Sequence, residues 1–90
     1  MNKPFRIRAR RLIIKIVNTR TYLIRKNKDK KEIPIVALEI IKEKIEPLRS
    51  DQQFKKFIQN NFFDIKKLIP KNNAYNNYYQ QLEDLYYENI

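Results

Sequence analysis

Proline falls at positions 4, 34, 47 and 70, and a residue that fixes φ and lacks an N–H opens helices but cannot continue them. The four prolines therefore divide the chain into four segments, each short enough to hold one element. Between Phe5 and Ala9 apolar and basic residues alternate, and this start is read as an extended basic N-terminal arm over residues 1–11. From Ala9 onward the apolar positions are Ala9, Ile13, Ile16/Val17 and Leu23/Ile24, closer to helical spacing. The density of β-branched residues leaves a second option, a hairpin of Leu12–Val17 and Thr21–Arg25 around Asn18-Thr19.

The remaining segments read more plainly. Asn27 to Lys31 is a charged loop. Pro34 opens an amphipathic helix with Leu38, Ile41, Ile45 and Leu48 on one face, ending near Pro47. Ser50-Asp51-Gln52-Gln53 has the spacing of a capping box. Phe54, Phe57/Ile58, Asn61/Phe62, Ile65 and Leu68/Ile69 continue an apolar stripe from it to Pro70. The spacing of Tyr75, Tyr78/Tyr79, Leu82 and Leu85/Tyr86 predicts a last helix with an Asn-, Gln- and acid-rich outer face. The expected fold is mostly α, a small bundle of three to four short amphipathic helices with the basic arm (residues 1–11), a helical domain (12–71) and a tyrosine-rich C-terminal helix (72–90). Phe54, Phe57, Phe62 and Phe63 are expected in the core. A chain of 90 residues makes one thin core, which a partner surface would complete.

Charge is segregated along the chain. Residues 1–31 carry a net +11, residues 32–71 a net +2 and residues 72–90 a net −3, for +10 in all. A balance this far from neutral favours a polyanion or an acidic protein face. Lys, Asn, Ile and Tyr supply 43 residues and Gly none, as A/T-rich codons would produce in an organelle, plasmid, virus or reduced genome. Such bias accounts for lysines more readily than for arginines, so Arg6, Arg8, Arg10 and Arg11 are the candidate nucleic-acid contacts, Arg being suited to bidentate phosphate binding. The acid-free first 28 residues have the composition of an import presequence, but are read as a working part of the protein.

Several functions are set aside on residue types. There is no Cys and no His, so disulfides, thiolate metal sites and the commonest general base are missing. Without Gly no phosphate-cradling loop can form. Glu39, Glu43 and Glu46 stand beside Lys42 and Lys44, as on a solvated ion-paired face. Ser50, the single serine, lacks an activating partner and suits a cap. The chain is therefore expected to be a non-enzyme with no cofactor, metal or small-molecule substrate. The longest apolar run, Ile33 to Leu38, is six residues with Pro34 inside it, far short of a membrane span. A soluble intracellular protein is expected. Tyr75, Tyr78 and Tyr79 are assigned to a protein interface.

Two stretches carry a family resemblance. Lys15-Ile16-Val17-Asn18-Thr19-Arg20-Thr21-Tyr22-Leu23-Ile24 and Pro34-Ile35-Val36-Ala37-Leu38-Glu39-Ile40-Ile41-Lys42-Glu43-Lys44-Ile45 together resemble the omega subunit of bacterial RNA polymerase and its small eukaryotic and viral counterparts. Arg20 matches that family's characteristic Arg. Thr21 departs from its preferred Ala, and Glu39 comes one residue earlier than its acid. The resemblance implies helix over residues 12–25 and a non-catalytic subunit that latches onto the largest polymerase subunit. It further implies that Arg20, Ile16, Val17, Leu38 and Ile41 are partner-binding, the four aliphatic residues covering one another at that contact while Arg20 pairs with an acid of the partner. The alternative is a small basic ribosomal protein of organelle type, its Arg-rich start threading rRNA and its tyrosines docking on a protein neighbour. A basic amphipathic segment on an anionic membrane is disfavoured by the lack of Trp.

Overall fold

A computed structural model describes residues 3–26 and 33–88 of the chain. Four α-helices and one 3₁₀ turn account for most of them, with no strand among the described residues: α1 (Phe5–Arg25), α2 (Ile35–Ile45), α3 (Asp51–Leu68), the turn Asn73–Tyr75, and α4 (Asn76–Glu88). The helical alternative for residues 12–25 is the one adopted. The charged loop expected from Asn27 to Lys31 lies outside the described residues.

Local chemistry explains most of the boundaries. Pro4 accepts from the N–H groups of Ile7 and Arg8 at 3.1 and 3.2 Å and opens α1. Pro34 stands at the N-cap of α2, and its carbonyl accepts from Ala37 N–H. At the start of α3 the capping box is complete: Gln53 N–H donates to Ser50 Oγ at 3.1 Å, and Ser50 N–H donates to Gln53 Oε1 at 3.1 Å. These side chains satisfy N–H groups that the first turn leaves without helical partners. Asn72 does the same for the 3₁₀ turn, accepting from Ala74 N–H at 3.0 Å.

The extended arm is not seen. From Phe5 onward those residues are the first turns of α1, and only Lys3 and Pro4 precede it among the described residues. The alternation is ambiguous because Phe5 and Ala9 are also four residues apart, so a helix buries both on one face. Phe5 and Ala9 are buried while Ile7, between them, is 39% exposed. The arginines expected to reach outward on an arm are instead fixed on a helix.

α1 packs against each of the other three helices, most extensively against α3. Arg6 meets Asp51 at the N-termini of α1 and α3, and Arg20 meets Leu68 near their C-termini, so the two run parallel. Arg8 meets Glu88 at the end of α4, and Thr19 meets Tyr78 near its start, so α4 runs antiparallel to α1. The shared core comprises Phe5, Ala9, Leu12, Ile13, Ile16 and Val17 of α1, Leu38 and Ile45 of α2, the apolar stripe of α3, and Leu82 and Leu85 of α4. Phe54, Phe57 and Phe62 are in this core, but Phe63 is 68% exposed. Adjacent helical residues point about 100° apart, and that step carries Phe63 past the edge of the buried stripe to the solvent side of α3.

Candidate nucleic-acid interface

The apolar repeat of α1 leaves a second repeat on its opposite side. Ile7, Arg11, Lys15, Asn18, Tyr22, Arg25 and Lys26 are all exposed, most of them at intervals of three and four that form a continuous stripe. Arg11 to Arg25 spans about 21 Å of helix axis. Residues 3–26 contain nine basic side chains and no acid, so any neutralisation must come from elsewhere in the fold. Lys26 lies over the Tyr22 ring at 6.0 Å, fastening the last turn of the stripe.

Of the four arginines assigned to nucleic acid, three are engaged within the molecule. Arg6 donates from its backbone N–H to Asp51 Oδ1 at 2.9 Å, and its guanidinium lies 3.3 Å from the same oxygen. One carboxylate thereby caps α1 from the first turn of α3, where both helix N-termini favour negative charge. Arg8 binds Glu88 with two bonds of 2.8 Å, the paired geometry that makes Arg–carboxylate contacts strong. Arg10 donates to the Leu48 carbonyl at 2.5 Å and lies 5.2 Å over the Phe54 ring. Arg11 alone of the four belongs to the exposed stripe.

These contacts hold two carboxyls below their usual range. For Asp51 the largest cause is the backbone hydrogen bond from Arg6, and for Glu88 the side-chain bonds from Arg8. Folded carboxyls that resist protonation add stability above their ordinary range near pH 4 and lose it as acid protonates them. The urea midpoint should therefore fall between about pH 5 and pH 2. A double variant, Asp51→Asn with Glu88→Gln, should show a smaller fall, and an equal fall would remove these two groups as its source.

The residues assigned to a partner lie in the core and along the seam of α4. Ile16, Val17 and Leu38 are core residues and Ile41 packs against them. Arg20 is only 4% exposed. It donates from Nε to the Leu68 carbonyl at 2.7 Å and from Nη2 to the Lys67 carbonyl at 3.3 Å. It thus completes the C-terminus of α3, where carbonyls lack helical donors and the dipole attracts a cation. Its guanidinium is turned into the interior, toward the end of α3. Tyr75, Tyr78 and Tyr79 are half-buried against the core. Tyr79 donates to the Ile69 carbonyl at 3.0 Å, Tyr78 reaches Thr19 Oγ1 at 3.4 Å, and Tyr75 stacks on Tyr78. The hydroxyls of Tyr78 and Tyr79 fasten α4 to the bundle.

Beside the stripe, an open cleft of about 370 Å³ lies between the first turns of α1 and the last turns of α4, with Lys3, Arg11 and Lys15 on one side and Gln81 and Asp84 on the other. Nothing in the sequence marks the two α4 residues as part of a site. Their spacing with Leu85 and Glu88 places them on a helix, but not on a face that turns toward α1. Among the described residues no group of acids, Cys or His could hold a metal ion, and no helix is long and apolar enough to cross a membrane. Comparison with protein-family models, curated proteins and solved structures finds no match to the chain.

Proposed function

We propose that the chain is a non-catalytic nucleic-acid-binding component of a larger assembly, with the outer face of α1 as its phosphate-contacting surface. One observation carries the reading: Arg11, Lys15, Arg25 and Lys26 are exposed along one helix, and that helix bears no acid. The acids of other helices neutralise Arg6 and Arg8 instead. A phosphate backbone is the partner whose repeating charge matches such a stripe, and releasing its counterions supplies the binding energy. Half-exposed Tyr22 adds a ring against which a base can stack. No enzyme activity is proposed, in keeping with the missing Cys, His and Gly loop.

The omega-like reading is a second proposal. What favours it is that α1 packs against α2 and that Ile16, Val17, Leu38 and Ile41, the residues that the resemblance pairs, share one core. What weighs against it is Arg20, whose guanidinium is bonded to α3. The ribosomal alternative needs no free Arg20, and it uses the basic surface directly.

The test is the salt dependence of binding to a single-stranded oligonucleotide, followed by fluorescence anisotropy. Replacing Arg11, Lys15 and Arg25 together by Gln should reduce the slope of log K against log salt by about 2, at about 0.7 for each phosphate that is no longer neutralised. Replacing Lys42 and Lys44 on α2 should leave it nearly unchanged. Equal effects from the two sets would mean diffuse attraction and no defined face. A chain held to a polymerase subunit by apolar contacts would show a shallow slope in the complex and little response to either set.

A further inference from the structure

The cleft between α1 and α4 has two unlike walls over an apolar floor. Lys3, Arg11 and Lys15 form the basic wall, Gln81 and Asp84 the opposite one, and Leu12 and Leu85 close the bottom. Arg8 also borders it, held at one end by its two bonds to Glu88. The volume of about 370 Å³ falls at the small end of ligand-holding clefts, roughly 300–1,000 Å³. That is room for one nucleotide and not for a duplex.

An acid here is out of keeping with a surface meant only to attract phosphates. Asp84 weakens the local field, and it is not bound by a bidentate arginine as Glu88 is. It accepts from Gln80 Nε2 at 2.9 Å through Oδ1, which leaves lone pairs on the carboxylate for another donor. Gln81 carries both a donor and an acceptor. Of the groups on a nucleotide chain, a ribose 2′-hydroxyl is a donor within one sugar of the phosphate, and deoxyribose lacks it.

Resting on the nucleic-acid reading above, we infer that this cleft seats a single ribonucleotide of an RNA strand. Its phosphate meets Arg11, Lys15 and Lys3, its sugar and base lie over Leu12 and Leu85, and Asp84 accepts the 2′-hydroxyl. The site would make the chain select RNA over DNA, which the charged stripe alone cannot do, since a phosphate contact carries no such information.

The experiment uses the full chain with a uridine oligomer of about twelve nucleotides, within the span of known single-strand sites, and a deoxyuridine oligomer of equal length. These two probes differ only in the 2′-hydroxyl. The ribose oligomer should bind about tenfold more tightly, the worth of one charge-assisted hydrogen bond. Asp84→Ala should bring the ratio of the two affinities close to one. Because neutralising an acid raises the affinity of both probes alike, the ratio isolates the hydroxyl contact from the change in charge. Asp84 is exposed, and an unchanged helical circular dichroism spectrum would confirm that the variant is folded. Gln81→Ala serves as a second variant and should lower the ratio less. A wild-type ratio near one, or a ratio untouched by Asp84→Ala, would overturn the ribose site while steep salt dependence with both probes left the nucleic-acid reading standing. Failure of both probes to bind at low salt would remove that reading, and the site with it.

Discussion

Replacing Arg20 by Ala should lower the stability of the folded chain by about 3 kcal/mol, the cost of losing charge-assisted hydrogen bonds from a buried guanidinium to two backbone carbonyls. The side chain is 4% exposed and donates to the carbonyls of Leu68 and Lys67. Its loss leaves the buried Leu68 carbonyl and the partly buried Lys67 carbonyl without these donors and removes a cation from the negative end of the helix dipole. A domain of this length has a total stability of roughly 5–13 kcal/mol, so the variant should unfold at a much lower urea concentration. Arg20→Lys should recover only part of the loss, because an ammonium cannot reproduce the planar fork that reaches two carbonyls. The same substitution separates two roles for this residue. The folded variant should bind an oligonucleotide with an unchanged salt slope, since the guanidinium is not on the exposed face of α1. An unchanged urea midpoint together with a failure to enter its native assembly would instead place Arg20 at a partner interface.

Phe54→Ala should cost a comparable or larger amount, about 3–5 kcal/mol. Phe54 is 1% exposed at the first turn of α3, and Arg10 lies 5.2 Å over its ring. Truncation would open a cavity where α3 meets α1 and would leave Arg10 without its aromatic partner. Phe63→Ala is the matched control. That ring is 68% exposed and touches Phe62 edge-on at 5.3 Å, so its loss should change stability by no more than about 0.5 kcal/mol. The urea midpoints of the two variants, measured side by side, test the packing of α3 directly. Similar midpoints would mean that the stripe of α3 faces another way, with Phe54 turned out of the core.

The features legible in the sequence are those whose causes are local. A proline opens α2 at Pro34 wherever the helix later packs, and the capping box Ser50–Gln53 is an exchange between residues three apart. The apolar period of α3 and α4 is likewise written in neighbouring residues, which is why the number and order of helices can be read without coordinates. Where two periods fit one segment, the local rule is not enough. Phe5 and Ala9 satisfy alternation and helical spacing together, and it is packing against α3 and α4 that selects the helix.

What only the tertiary structure decided is which charge meets which. Arg11 and Arg20 are both arginines of one basic run, and although helical spacing puts Arg20 on the face of Ile16, Val17 and Ile24, it does not say which group its guanidinium meets. Their difference comes from partners 48 residues away in one case and from an outward-facing turn of helix in the other. The same holds for Asp84 beside Arg11 and Lys15, which the antiparallel approach of α4 to α1 brings to one cleft. Sequence by itself determined α2, α3 and α4, the basic character of α1 and the absence of Cys, His and Gly. The parallel seating of α1 on α3 decided the rest, because a buried side chain must find its hydrogen-bond partners within the fold, and that requirement selects which basic residues are left facing solvent.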